Sequence, residues 1–288
     1  MVHIHHGCAV RLGGFTLVET IIALVLSTIV ILLVSSTFLV QNNYYGSQTQ
    51  RAGAQDNARA VTELMAREIR STMEDGVVVA GRRTLTIRSP IVLALICHRS
   101  GNILSIHFEG GGFGLDTDEV AGIAVRDAAT GAWDYRNTTW SYIQADASLA
   151  AQNCADNGAD TTGAASEFHK INRLQDLYAE VPDAGDVLML FRETTFKIQT
   201  SELDPPTLGL FRGVYGNSLI EFVTGLDSTA QFQYRTGGGT YADTVLSPAL
   251  GDIDVVRIVA EARKRAQTGG RDDITFGWSV NVALRNVR

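Results

Sequence analysis

The chain has 288 residues, enough for one large domain or two small ones with a buried core. Its net charge of −7, from 24 basic and 31 acidic side chains, argues against a protein whose whole surface binds nucleic acid. Three cysteines without a Cys-x-x-Cys pair exclude a disulfide-rich miniprotein, a zinc ribbon and a thioredoxin-type motif. The charge is unevenly distributed, because no residue from Thr20 to Gln50 is charged.

The uncharged region contains a candidate transmembrane helix. The run Ile21–Val40 is interrupted only by serine and threonine. At about 1.5 Å per residue it spans roughly 30 Å, the hydrocarbon thickness of a bilayer. The hydroxyls are tolerated because each can bond to a carbonyl of its own helix. A secretory signal peptide has a shorter apolar core, so the sequence predicts a retained transmembrane helix over about residues 19–40.

The helix is predicted to continue beyond the membrane. Pro90 is the first proline, and most residues from Ala52 to Met73 are good helix formers. Gly76 is well placed to end the helix, which predicts one element over residues 15–75. Apolar residues at helical spacing predict a stripe that packs against the protein's own domain: Val61, Leu64, Met65, Ile69 and Met73.

After residue 76 the pattern changes to the two-residue period of β-strands. The region Ala145–Ser166 is rich in small polar residues and is predicted to be a long surface loop. One long amino-terminal helix, with its first half transmembrane, packed on a mostly antiparallel β-sheet predicts an α+β fold. The predicted strands are Val77–Ala80, Thr84–Arg88, Ile103–Phe108, Asp186–Phe191, Thr194–Gln199, Leu208–Arg212, Leu219–Thr224, Ala230–Arg235, Val255–Ala262 and Trp278–Leu284.

Glu19 lies at the start of the apolar run, where a carboxylate is costly to bury without a partner. Its surroundings, Arg11–Thr20 (RLGGFTLVET), resemble the class III signal of type IV prepilins. That signal is a short leader with a basic residue and a glycine, followed by Phe-Thr-Leu-Val/Ile-Glu and a hydrophobic helix. The glycine, phenylalanine and glutamate fall at the offsets of that signal, and residues 1–14 form a leader of the usual size.

The resemblance implies a role for each of these residues. A prepilin peptidase would cut between Gly14 and Phe15 on the cytoplasmic face, and the new amine of Phe15 would be N-methylated. Glu19 would neutralise the Phe15 amine of a neighbouring subunit during filament assembly, which offsets two desolvation costs. The other major and minor pilins would be partners through this helix.

The same resemblance implies a domain plan and a location. Residues 1–14 would be the leader, residues 15–75 the long helix and residues 76–288 a periplasmic or extracellular head domain. Arg11 would stay in the cytoplasm, because positive charge favours that side of a membrane. The protein would span the inner membrane once, with its head in the periplasm and later in a pilus at the cell surface.

The carboxy-terminal half resembles the PilW-type minor pilins. A short strand ending at Arg212 precedes a strand carrying Phe232-Gln-Tyr234, and the chain closes near Leu-Arg-Asn. This resemblance implies a type IV pilin-like fold and a structural subunit that primes or joins a type IV pilus. The J-type minor pseudopilin of type II secretion is more distantly similar and is the alternative function. A membrane-anchored sensor or hydrolase that resembles a pilin only at its start is a third hypothesis.

The mature chain would keep two cysteines, because Cys8 lies in the leader. An even pair outside the cytoplasm predicts a disulfide between Cys97 and Cys154. Such a bridge would tie the polar loop containing Cys154 to the end of a strand. The alternative is two free thiols.

The sequence offers no catalytic motif. Neither Gly-x-Ser-x-Gly nor His-Glu-x-x-His occurs. Asp116–Glu119 and Asp156–Asp160 supply oxygen ligands but lack the spacing of a calcium-binding EF-hand loop, so they are predicted to be solvated. The basic run Glu261–Arg265 is predicted to be a solvated strand end instead of a DNA contact. We therefore predict a non-enzymatic protein with no cofactor, no metal site and no nucleic-acid partner.

Overall fold

The computed structural model describes residues 16–108, 119–127, 130–138, 143–144, 147–158, 168–171, 182–264 and 274–284. The chain divides into two compact units, residues 1–53 and residues 54–288. Helix α1, Leu17–Arg70, contributes residues to both units. The second unit contains the β-sheet.

Within the second unit, the helical stripe predicted from the sequence is largely buried. Val61, Met65 and Ile69 are at most 3% exposed and belong to the main hydrophobic core, whereas Leu64 is 38% exposed. The predicted packing of this stripe against its own domain is therefore confirmed for its central residues. The stripe is narrower than the sequence pattern indicated.

The helix ends at Arg70, five residues before the predicted end at residue 75. The amide of Ser71 still bonds to the carbonyls of Arg67 and Glu68, and Asp75 then adopts a left-handed backbone with φ of 58°. Gly76 has a different role from the predicted one. A Cβ at Gly76 would lie 2.9 Å from the carbonyl oxygen of Arg88, so this position needs glycine for close packing.

The second unit contains thirteen strands, one further helix and one 3-10 turn among its described residues. All strand pairings among these residues are antiparallel, which confirms the α+β fold with an antiparallel sheet. The strands are β1 Val77–Gly81, β2 Thr84–Ser100, β3 Ile103–Phe108, β4 Gly122–Arg126, β5 Trp133–Asn137, β6 Ile143–Gln144, β7 Phe168–Ile171, β8 Val187–Thr200, β9 Leu208–Val214, β10 Ile220–Leu226, β11 Gln231–Thr236, β12 Ile253–Lys264 and β13 Ile274–Ala283. Helix α2 is Ala147–Asp156, and the 3-10 turn is Ala249–Asp252.

The sheet has the order β11-β12-β10-β9-β8-β2-β3-β7-β6, with β1 on β2, β13 on β12, and the β4–β5 pair joined to β8. Its two longest strands, β2 and β8, pair from Thr84 opposite Lys197 to Leu95 opposite Val187. One core cluster lies between the helix and the sheet and includes Phe196 and Phe232. A second cluster extends along the other halves of β2 and β8.

Both long strands differ from their predictions. The predicted strand Thr84–Arg88 continues through Pro90 to Ser100, and two predicted strands merge into β8. Proline has no amide to donate to a ladder and therefore indicates a strand end. Here the register shifts between Pro90 and Val92, and this irregularity lets the strand continue past the proline.

Part of the predicted surface loop at Ala145–Ser166 is helical. Ala147–Asp156 forms α2, with Ala150 and Cys154 fully buried at positions four residues apart. The loop prediction is therefore wrong for this segment, because small polar composition does not exclude a helix that gains its stability from packing. Strand β4 was also missed. Its first four residues are all buried and show no alternation of exposure.

Two side-chain contacts involve residues of the carboxy-terminal sequence pattern. Arg212 donates to Glu68 of α1, with 2.8 Å between Nη2 and Oε1 and 3.1 Å between Nε and Oε1. The hydroxyl of Tyr234 donates to the carbonyl of Gly81 at 2.9 Å, and burial raises the pKa of this phenol. The first contact connects the helix to β9, and the second connects β11 to the β1–β2 turn.

Candidate functional site

Glu19, the predicted assembly residue, lies in the first turn of α1. Leu17–Thr49 is a helix long and apolar enough to span a membrane, with a mean hydropathy of 2.8 and none of its window buried within the protein. Its large apolar side chains are 49% exposed or more, Ile29 being the least exposed. The single predicted transmembrane helix is therefore present as an element of the right length and composition. An apolar surface of this extent requires a partner such as lipid or other apolar helices.

The first turn of this helix is closed by a capping box. The backbone amide and the hydroxyl of Thr16 each donate to Glu19 Oε2 at 3.0 Å, and the Glu19 amide lies 3.4 Å from Thr16 Oγ1. Threonine at the N-cap and glutamate three residues later is the sequence signature of this motif. Thr16-x-x-Glu19 carries that signature, but sequence reasoning treated Glu19 only as an assembly residue.

Glu19 is exposed, and from Leu12 to Gln50 it is the only charged residue. A carboxylate near the helix amino terminus is favoured by the helix dipole. The Thr16 cap supplies two further donors to the same oxygen. Gly14 and Phe15, the predicted cleavage and methylation positions, lie outside the described residues, so their predicted relation to Glu19 stays a prediction.

Four of the five hydroxyl groups inside the apolar run bond to a carbonyl of their own helix, as predicted. Ser27 donates to the carbonyl of Ala23 at 2.7 Å, and Thr28 donates to the carbonyl of Leu24 at 2.8 Å. Thr37 makes the same kind of bond at 2.9 Å. These bonds within the helix allow hydroxyl-bearing residues to enter an apolar environment without unsatisfied donors.

Two adjacent tyrosines follow the apolar run and were not singled out from the sequence. Tyr44 and Tyr45 are 60% and 69% exposed, and their rings meet edge to face with centroids 6.5 Å apart. Tyrosine is enriched where a membrane helix meets the polar headgroups, because its ring is apolar and its hydroxyl is polar. The signal was available in the sequence as two aromatic residues just after Gln41-Asn42-Asn43.

A cleft of about 490 Å³ lies in the second unit. Its lining includes the carboxylates of Glu74, Asp75 and Asp252 together with Thr236 and Pro248. Within the described ranges, no group of three or more His, Cys, Asp or Glu side chains is placed to hold a metal ion. Of the two acidic segments noted in the sequence, Glu119 pairs with Arg192 at 3.1 Å, and Asp156 is exposed at the end of α2.

The structure joins Cys97 of β2 to Cys154 of α2 by a disulfide, with 5.0 Å between the Cα atoms. The predicted pairing is therefore confirmed. Its setting differs from the prediction, because Cys154 lies in a helix and not in a loop. Both residues are buried, Cys97 being 7% exposed and Cys154 fully enclosed.

Comparison with known proteins adds no relative. No protein-family model, curated protein or solved structure matches this chain.

Proposed function

We propose that this protein is a minor pilin, a non-enzymatic subunit that primes or joins a type IV pilus after its leader is removed and Phe15 is methylated. The observation that carries the proposal is the motif RLGGFTLVET at the start of an exposed helix segment that is long and apolar enough to span a membrane. A fold with one long helix and an antiparallel sheet is compatible with the type IV pilin layout implied by the sequence.

The proposal explains why a charged residue stands at the start of an apolar helix. Before assembly the subunit is in the inner membrane, where lipid covers its apolar side chains. In a filament, neighbouring apolar helices replace the lipid. Glu19 would then meet the positive Phe15 amine of a neighbour, so two charges that are separately expensive in apolar surroundings compensate each other.

In this proposal the head domain is exported across the inner membrane and has a structural role in the pilus. Its disulfide agrees with an oxidising compartment such as the periplasm, because disulfides persist there and are rare in the cytoplasm. The partners would be the prepilin peptidase and the other major and minor pilins. A J-type pseudopilin of a secretion system would use the same assembly chemistry in a different machine.

Mass spectrometry of the mature amino terminus tests the proposal. We expect a protein that begins at Phe15 and carries one methyl group on its amine. Gly14→Leu should leave the leader attached while the protein still enters the membrane, and Gly13→Ala, one residue away, should be cleaved normally. A mature protein that keeps Met1, or that begins after the apolar run, would show that the motif is not a prepilin signal.

The machine is identified by a second measurement. The full-length protein is purified from cells in mild detergent, and the subunits that co-purify are identified. We expect pilus subunits and the pilus assembly ATPase. Recovery of a secretion-system secretin and pseudopilins would instead assign the protein to the J-type class, and recovery of neither set would overturn both.

A further inference from the structure

The disulfide joins α2 to the sheet at a place where the described residues make little other apolar contact. The cluster around the bridge contains three buried residues, Cys97, Ala150 and Cys154, with Ala151 partly buried beside them. Leu149, the one large apolar side chain among the described side chains of α2, is 42% exposed. Burying alanine side chains stabilises a contact far less than burying leucine or phenylalanine, because stabilisation scales with apolar area.

Helix α2 is also too short to be stable by itself. It has ten residues, below the roughly 12–15 that an isolated helix needs in water. Two polar bonds connect this segment to the sheet: Asn153 of α2 donates to Ser105 Oγ at 3.0 Å, and Asn157, just after the helix, lies 3.1 Å from His98 Nδ1. Single bonds of this kind contribute little net stability, because water offers the same partners.

The main cores do not include α2. The cluster between α1 and the sheet and the cluster along β2, β3, β4 and β8 contain no residue of residues 147–158. Loss of α2 packing therefore removes no side chain from either cluster. The bridge joins positions 57 residues apart in the sequence and is a covalent link between α2 and β2.

We propose that the Cys97–Cys154 bridge is a redox-controlled clasp: when it is reduced, α2 leaves the sheet while the rest of the head stays folded. The reductant is a dithiol, which gives two electrons and two protons. The S–S bond breaks, Cys97 and Cys154 become thiols, and the dithiol becomes its own disulfide. The link to export rests on the proposed function: α2 would dock only after the head reaches an oxidising compartment.

Hydrogen exchange of the full-length protein in detergent micelles tests the clasp, with and without dithiothreitol. After reduction we expect the amides of α2 to exchange at least about 100-fold faster, while those of β8 and β9 keep their protection to within a few-fold. Retained protection in α2 would overturn the proposal. So would loss of protection throughout the head, since the bridge would then stabilise the whole domain.

Variants separate the bridge from the packing around it. The double variant C97S/C154S should show fast exchange in α2 without any reductant. Ala150→Asp keeps both cysteines but disrupts the small cluster, so it should speed reduction of the bridge by about tenfold or more, because the buried sulfurs react only when α2 opens. Leu149→Ser, on the exposed side of α2, is the matched control. Its disulfide should be reduced at the same rate as that of the unmodified protein. Equal rates of reduction in Ala150→Asp and Leu149→Ser would contradict the proposal, because packing around Ala150 would then not hold α2 over the bridge.

This test does not depend on pilus assembly. If the amino terminus is found uncleaved but α2 is released on reduction, the minor-pilin proposal fails and the clasp stands. If the amino terminus is processed as proposed but α2 stays docked after reduction, only the clasp proposal is wrong.

Discussion

Glu19 has two partners in two states: the Thr16 cap within its own helix, and, in the proposed filament, the Phe15 amine of a neighbour. These partners can be separated because glutamine also serves in a capping box. Glu19→Gln should keep the first helical turn and lose the charge pair. Thr16→Ala should lose the cap and keep the charge.

We expect Glu19→Gln to be cleaved and inserted normally but to lower incorporation into filaments by on the order of tenfold, since the neighbour's amine would lose its counter-charge. Thr16→Ala should raise amide exchange in residues 17–20 and reduce incorporation less. The measurements are pilus number per cell and co-purification with other subunits. Thr16→Ser, which keeps the hydroxyl, is the control. Normal incorporation of Glu19→Gln would show that the charge pair does not drive assembly.

A second residue makes the stability of the head depend on pH. His169 in β7 is 7% exposed and packs on Phe108 with ring centroids 4.7 Å apart. Burial lowers the pKa of its imidazole below the ordinary value of about 6.5. The imidazole of His169 therefore binds a proton more readily in the unfolded chain than in the folded protein. Neutral His169 contributes fully to stability above about pH 6.5, and this contribution is lost as the pH falls below that value.

The Tm of the full chain in detergent should therefore fall as the pH is lowered from about 7.5 to 5.5, and His169→Gln should reduce that fall. Ile171→Val, on the same strand β7, changes no titratable group; it is the matched control and should leave the pH dependence unchanged. An identical pH dependence in the His169→Gln and unmodified proteins would contradict the role of His169.

At the scale of elements, the docking of α1 on the sheet includes one buried charge pair. The side chain of Glu68 is 7% exposed, and that of its partner Arg212 is 27% exposed. Removing one member of such a pair leaves the other charge poorly solvated, which costs several kcal/mol when both are fully buried. Because Arg212 retains access to water, we expect Glu68→Ala to lower the free energy of unfolding by about 2 kcal/mol.

Chemical denaturation of the full chain in detergent measures this change. Glu63→Ala, on the exposed surface of the same helix, should alter the free energy of unfolding by less than about 0.5 kcal/mol. Replacing Glu68 and Arg212 together with methionine should recover much of the loss, because no unpaired charge remains. Similar effects of Glu68→Ala and Glu63→Ala would mean that the pair contributes nothing to docking.

At the scale of the whole molecule, we expect the first compact unit to need detergent or lipid and the second to fold without either. The core between α1 and the sheet begins at Val61, and the buried clusters lie within residues 54–288. A chain starting at Ala54 therefore contains the residues of both clusters and lacks the exposed apolar helix. We expect it to fold and remain soluble without detergent, whereas the full chain requires detergent.

Circular dichroism and size-exclusion chromatography with light scattering check this expectation. A matched chain starting at residue 74 lacks Val61, Met65, Ala66 and Ile69 of the core and should be unfolded or aggregated. Aggregation of the chain starting at Ala54 would show that the first unit is needed for the head to fold.

Much of this architecture depended on local signals and could be predicted from the sequence. The apolar run Ile21–Val40 predicted a membrane-length helix because length and composition alone decide that property. Strand β3 was predicted with its observed bounds, Ile103–Phe108, and β1 within one residue. Alternating residues and flanking turns are local features, and they determined these strands. The disulfide also followed from the number of cysteines left after the predicted leader.

The tertiary structure decided the features that depend on distant residues. Helix α2 forms where Ala150 and Cys154 meet Cys97, more than fifty positions earlier in the chain, and composition alone indicated a loop there. Strand β2 continues past Pro90 because β8 pairs with it on both sides of the proline, and the register shift between Pro90 and Val92 accommodates the irregularity. Gly76 allows close packing against the backbone of Arg88, whereas the helix already ends at Arg70. Periodicity describes how neighbours in the sequence share a face, whereas these features arise from register and packing between segments that only the folded chain brings together.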